Sequence, residues 1–151
     1  LKQIEEYVKN AKKAGLLIHA CYMVGNKGET KETMERNLKL ALKLNTDTAQ
    51  FFPLIPYPGT EAYQWARENG YIKDGYEHYC KEDGTHNCVL ELPGLSSEEM
   101  VEFCDYARKK YYLRPRYVMH RLAVGLRDPE DLKRSLKAFG RLRKYLFVPK
   151  K

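Results

Sequence analysis

Two short apolar runs organise the chain. Leu16–Val24 (LLIHACYMV) and Thr48–Leu54 (TAQFFPL) are too short for buried helices, and each ends at a loop marked by glycine or proline. Residues 3 to 14 come first and place Ile4, Tyr7, Val8 and Ala11 at helical spacing before Gly15 stops the helix. Between the two runs, residues 31 to 44 repeat the helical pattern, with Met34, Leu38, Ala41 and Leu42 as the apolar stripe and Asn45 as the stop. The order predicts strand, loop, helix, strand, loop, helix, with the strands parallel because the connection is long enough to cross back.

Strand alternation sorts the side chains of each run. Leu17, His19, Cys21 and Met23 share one face of the first strand, and Ile18, Ala20, Tyr22 and Val24 share the other. In the second, Gln50, Phe52 and Leu54 oppose Ala49 and Phe51. The polar members His19, Cys21 and Gln50 mark the face expected to look into a cavity, while the other face takes a covering helix. After the first strand, GNKGE (Gly25–Glu29) supplies two glycines and Thr30 is placed to cap the next helix. It is not a phosphate-binding P-loop, because the lysine precedes the second glycine and the spacing is short. After the second strand, Pro56, Pro58 and Gly59 turn the chain into a helix capped by Thr60 and ended by Gly70.

The remainder is expected to be helical after an irregular or hairpin connection over 71–94. Ser96 and Glu99 form a capping box ahead of Met100, Phe103, Cys104, Ala107 and Tyr111 at helical spacing. Pro115 opens a helix to about Leu126, and Asp128-Pro129 opens a last one that turns Leu132, Leu136 and Phe139 inward. The expected organisation is a βαβα segment over 1–70, the connection over 71–94 and a helical extension over 95–151.

Charge changes the picture only in the last third. Residues 1–100 hold 12 Lys+Arg against 15 Asp+Glu, whereas residues 101–151 hold 15 against 5. That part could meet nucleic acid, acidic protein or anionic lipid, although cations spaced along helices usually form a solvated face. A hydrophobic content of 43% with 12 tyrosines excludes a disordered chain. No run reaches the roughly 18–20 apolar residues of a membrane span. The first residues read as a charged amphipathic helix and not as an apolar leader, so no export signal is expected, and a start in mid-pattern suggests a chain that continues upstream. The four cysteines (Cys21, Cys80, Cys88, Cys104) show no secreted framework, which fits free thiols in a reducing cytoplasm.

One cysteine pattern resembles a metal site. His78, Cys80, His86 and Cys88 make two H-x-C pairs of zinc-binding chemistry. A two-residue turn at Asp83-Gly84 would pair Cys80 with Asn87 and His78 with Val89, leaving His86 and Cys88 on the opposite face, whereas a three-residue loop would gather all four. H-x-C is not a usual zinc spacing, so a surface hairpin without metal is the simpler expectation. Paired carboxylates such as Glu5-Glu6 and Glu98-Glu99 fall on exposed helical or capping positions.

The two strand-loop units carry a family resemblance. GLLIHACYMVGNKGET followed by DTAQFFPLIPYPGTEAY resembles the last two strands of the radical S-adenosylmethionine (SAM) enzymes, in the branch that often has an N-terminal cobalamin-binding domain. Gly25, Gly28, Glu29 and Thr30 match its G-x-P-G-E-T loop, with Lys27 where the family has proline. Pro56, Pro58, Gly59 and Thr60 match its P-x-P-G-T loop. YYLRPRYVMHRL (111–122) is similar to that branch's C-terminal extension.

The resemblance implies the C-terminal part of a partial (β/α)6 barrel, α/β in class, belonging to a cytoplasmic oxidoreductase or methyltransferase. It implies SAM contacts at Met23, Val24, Gly25, Phe52 and Leu54, and a substrate side at His19, Cys21 and Gln50. The family's [4Fe-4S] cluster sits on a C-x-x-x-C-x-x-C loop that no cysteine spacing here provides, so the cluster, and any cobalamin, would belong to the N-terminal remainder of the same polypeptide. Alone, the chain is then expected to be inactive, with no catalytic residue or metal of its own, and to self-associate through free strand edges. The rival expectations are a basic helical module that binds RNA or acidic protein, separable by steep salt dependence, and a zinc-stabilised domain.

Overall fold

A computed structural model describes residues 1–73, 78, 87–127, 130, 132–137 and 139–140. Its order is α1 (Lys2–Lys13), β1 (His19–Val24), α2 (Lys31–Leu44), β2 (Thr48–Pro53), α3 (Glu61–Glu68), α4 (Ser97–Tyr112) and α5 (Pro115–Arg127), with 132–137 also helical. The chain divides into two compact units, Leu1–Cys104 and Asp105–Lys151. Among the described residues, no helix is long and apolar enough to cross a membrane.

The expected α/β unit is present, with β1 and β2 parallel and His19 opposite Thr48 through to Val24 opposite Pro53. β1 begins three residues later than the apolar run does, and the reason is local. Gly15, at φ +74°, ends α1 by donating from its N–H to Lys12, while the Leu16 N–H reaches back to the Ala11 carbonyl, the paired bonds of a Schellman cap. Leu16 is thus used up in closing the helix, and Leu16 and Leu17 are exposed. The Ile18 N–H then bonds to the Asp47 carboxylate at 2.9 Å, and the Thr48 N–H to the Ile18 carbonyl at 3.2 Å, which aligns the starts of both strands.

α2 packs against β1. Met34, Leu38, Ala41 and Leu44 of α2 are buried, as are Tyr22, Val24, Ala49 and Phe51 of the sheet. Tyr22 and Phe51 are register partners, and their rings stack with centroids 5.1 Å apart. Thr30 caps α2 in a reciprocal capping box with Thr33, and Lys12 of α1 donates to the Leu44 and Asn45 carbonyls at the other end, at 2.7 and 2.8 Å. In α1 only Val8 and Ala11 of the expected stripe are buried, and Ile4 and Tyr7 face solvent. α1 is short of the neighbours that its apolar face could use.

Gly25 fixes how α4 meets the sheet. It adopts φ +88°, and a Cβ there would lie 2.8 Å from Met100 Sδ of α4, which is fully buried. The sulfur lies near the end of a pliant side chain and can move, so backbone strain dominates the cost of substitution. Gly25→Ala is expected to destabilise the first unit by about 2 kcal/mol, measured by urea unfolding.

The Ser96–Glu99 capping box forms as expected, with Ser96 N–H to Glu99 Oε2 at 2.9 Å and Glu99 N–H to Ser96 Oγ at 3.1 Å. Glu99 also pairs with Lys31 at 2.5 Å. Its neighbour Glu98 is held down at about 2 by its own backbone N–H, then by the Ser97 hydroxyl and the Lys73 ammonium. A depressed carboxylate stabilises the fold above its ordinary 4.5 and loses that contribution as pH falls toward 2. The melting temperature is therefore expected to fall across that window, and less steeply in Glu98→Gln.

The connection before α4 is paired at its ends. Ile72 lies opposite Leu90, with Lys73 N–H to the Val89 carbonyl and Glu91 N–H to the Tyr71 carbonyl, both at 2.8 Å. A tight turn at Asp83-Gly84 would have set Leu95 opposite Ile72, so that register does not extend to the ends. Cys80 and His86, together with the turn itself, lie outside the described residues.

In the second unit Tyr111 is fully buried, in ring contact with Tyr112 and Tyr117, and the Arg114 guanidinium lies 4.2 Å over its ring. The expected inward turn of Leu136 and Phe139 is not found: both are exposed, and Leu132 alone of the three packs inward, against Gly125. Helical spacing there marks an apolar face without specifying that anything covers it.

Candidate functional site

Parallel sheets are ordinarily covered on both faces. Here one face carries α2, and the other is largely exposed among the described residues. The open face presents three register pairs in rows: His19 with Thr48, Cys21 with Gln50, and Met23 with Phe52. His19, Cys21, Met23 and Thr48 are exposed, and Gln50 and Phe52 are half-buried. The rows grade from polar at the strand starts to apolar at the strand ends. His19 Nδ1 and Thr48 Oγ1 are 2.7 Å apart, which fixes the imidazole in the first row.

At the C-terminal ends of the strands, where ligands of parallel sheets bind, the two loops meet a depression of about 640 Å³. Asn26 and Lys27 line it from the first loop, and Leu54 from the strand end. α3 contributes Glu61, Gln64, Trp65 and Glu68, one row at helical spacing. Both loops are locally ordered: the Asn26 carbonyl accepts from the Glu29 N–H at 2.9 Å, and Thr60 caps α3 by accepting from the Tyr63 N–H at 3.2 Å. Glu29 is engaged by the Thr33 hydroxyl and so is turned toward α2.

The residues named from sequence separate into distinct groups. His19, Cys21, Gln50, Met23 and Phe52 lie together on the open face. Val24 has its side chain fully buried on the opposite face, and its carbonyl accepts the Leu54 N–H at 2.7 Å. Gly25 is packed beside Met100 and Leu54, and Leu54 is buried at the mouth. Sequence reasoning missed Thr48, which completes the polar row, and the α3 row; the signal for the latter was the i, i+3, i+4, i+7 spacing of Glu61, Gln64, Trp65 and Glu68.

The three described cysteines differ in setting. Cys21 is exposed on the open face, while Cys88 and Cys104 are buried. Burial pushes the Cys88 thiol up to about 11, and its Sγ sits 3.6 Å from the Leu90 carbonyl. A thiol so raised is a poor metal ligand at neutral pH. Among the described residues no group of three or more His, Cys, Asp or Glu side chains could hold a metal ion.

Comparison with known proteins gives one informative likeness. An uncharacterized methyltransferase of Pyrococcus horikoshii is 33% identical to this chain over 119 residues, covering 78% of this chain and 25% of the relative. The chain spans about a quarter of the length of that curated relative. No protein-family model matches the chain, and no solved structure matches it.

Proposed function

We propose that the chain is the C-terminal part of a radical SAM methyltransferase and that the open face of β1 and β2 is one wall of its SAM and substrate cavity. The observation that carries this reading is the uncovered face itself. A parallel pair with an apolar row at the strand ends and a polar row at the starts has the composition of a pocket lining, and four of the six side chains in those rows are exposed. Similarity to a much longer methyltransferase supports a partner sheet elsewhere in the same polypeptide.

SAM suits these residues. Met23 and Phe52 offer adjacent apolar surface for an adenine ring, the Gln50 amide can both donate and accept, and Val24 could contribute only through its backbone. Bound SAM supplies the methyl group to be transferred. His19, held by Thr48, and the Cys21 thiol lie farther from the strand ends, on the side assigned to the substrate. An iron-sulfur cluster does not suit this chain, since no cysteine spacing in it gives a C-x-x-x-C-x-x-C loop and two of the described cysteines are buried, so its ligands are assigned to the upstream part; cobalamin, if used, belongs there too.

The test is a longer polypeptide that includes the coding sequence upstream of Leu1. It should contain a C-x-x-x-C-x-x-C loop, purify with iron and sulfide, and bind SAM. Phe52→Asp in that polypeptide should weaken SAM binding by at least about tenfold, because it puts a charge where an apolar ring must sit. An upstream sequence without the three-cysteine loop would refute the radical SAM reading, and SAM binding unaffected by Phe52→Asp would refute the placement of the wall.

A further inference from the structure

The outer surface of the second unit has a division of its own. At about 100° per residue, α5 places Tyr117, Arg121, Val124 and Gly125 on one side, and all four are buried or half-buried. Tyr117 meets Tyr111 and Tyr112, Arg121 Nη2 donates to Ser135 Oγ at 2.6 Å, and Gly125 lies against Leu132. On the opposite side Val118, Met119, Leu122 and Leu126 are 41, 66, 48 and 83% exposed. Arg116 and His120 occupy the third side and are exposed.

The helical residues that pack on α5 extend the pattern, with Lys133, Arg134 and Lys137 exposed and Leu136 exposed among them. Residues 113–140 hold seven Lys+Arg against three Asp+Glu. The result is an aliphatic stripe turned away from the unit's own packing, bordered by cations.

That combination selects among anionic partners. Single-stranded nucleic acid is held by aromatic platforms that stack on bases, whereas the exposed apolar side chains of α5 are all aliphatic and Phe139 is a lone exposed aromatic after it among the described residues. A helix with an apolar sector beside a cationic one matches a surface that is anionic at its plane and apolar just beneath. We propose that α5 and the helical residues after it dock on an anionic phospholipid bilayer, with Met119, Leu122 and Leu126 entering the acyl boundary and Arg116, Lys133 and Lys137 meeting headgroup phosphates. This does not depend on the methyltransferase reading.

Flotation of the full 151-residue chain with phosphatidylcholine vesicles, with and without phosphatidylglycerol, tests it. Binding is expected only where phosphatidylglycerol is present, and should weaken with salt. Leu122→Ser/Leu126→Ser alters two exposed side chains, so its circular dichroism should match the parent while its vesicle partition falls by at least about tenfold. Lys133→Glu/Lys137→Glu should also reduce partition. The proposal is overturned if the chain ignores phosphatidylglycerol vesicles, whether because it binds only an oligoribonucleotide or because self-association hides the stripe. Vesicle binding that survives Leu122→Ser/Leu126→Ser overturns it as well.

Discussion

Phe51→Ala is expected to cost the first unit about 3–5 kcal/mol, a large part of the roughly 5–15 kcal/mol that holds a domain folded. Phe51 is 1% exposed and stacks on Tyr22 across the only strand pair in the described sheet. Truncation removes a buried ring and leaves a cavity between sheet and helix, and with one strand pair little remains to hold the register. Its neighbour supplies the control. Phe52 lies on the open face and is half-buried, so Phe52→Ala should cost well under half as much. Urea unfolding of both variants measures the difference; equal losses would mean that the faces are assigned the wrong way round.

Tyr111→Ala is the corresponding lesion in the second unit. Tyr111 is fully buried: Tyr112 and Tyr117 contact its ring at 5.2 and 5.5 Å between centroids, and Arg114 stacks over it. Losing the ring removes the burial and both aromatic contacts and takes away the nearer of the two rings beneath the Arg114 guanidinium, at an expected cost of about 3–5 kcal/mol. Tyr111→Phe keeps the ring and should cost less than about 1.5 kcal/mol. Limited proteolysis should show Tyr111→Ala opening cleavage sites beyond Cys104 first. Cleavage that begins instead within β1 and β2 would mean that the two units do not unfold separately.

Much of the first unit was legible because strand alternation leaves a strong mark when one face is buried. His19, Cys21 and Gln50 interrupt otherwise apolar runs at alternate positions, and that interruption alone identified the uncovered face. The strand start was not legible. Leu16 and Leu17 look like strand residues, but Gly15 at positive φ commits Leu16 to closing α1, a backbone constraint that hydrophobicity does not register.

Val24 and Gly25 illustrate a second limit. A loop motif shows that backbone comes close to something there, and cannot say whether that is a ligand or Met100. Leu136 and Phe139 show a third, since an apolar face at helical spacing is written identically whether it packs within the chain or awaits a partner.

The alkylation rate of Cys21 tests most directly whether the open face is a cavity wall. Maleimide labelling followed by mass spectrometry reads it site by site, with buried Cys88 and Cys104 as internal references that should react only on unfolding. In the 151-residue chain Cys21 should label readily. In the longer polypeptide that includes the upstream part, its labelling should slow by about a hundredfold and slow further when SAM is added. The same Cys21 rate in both polypeptides, indifferent to SAM, would contradict the account.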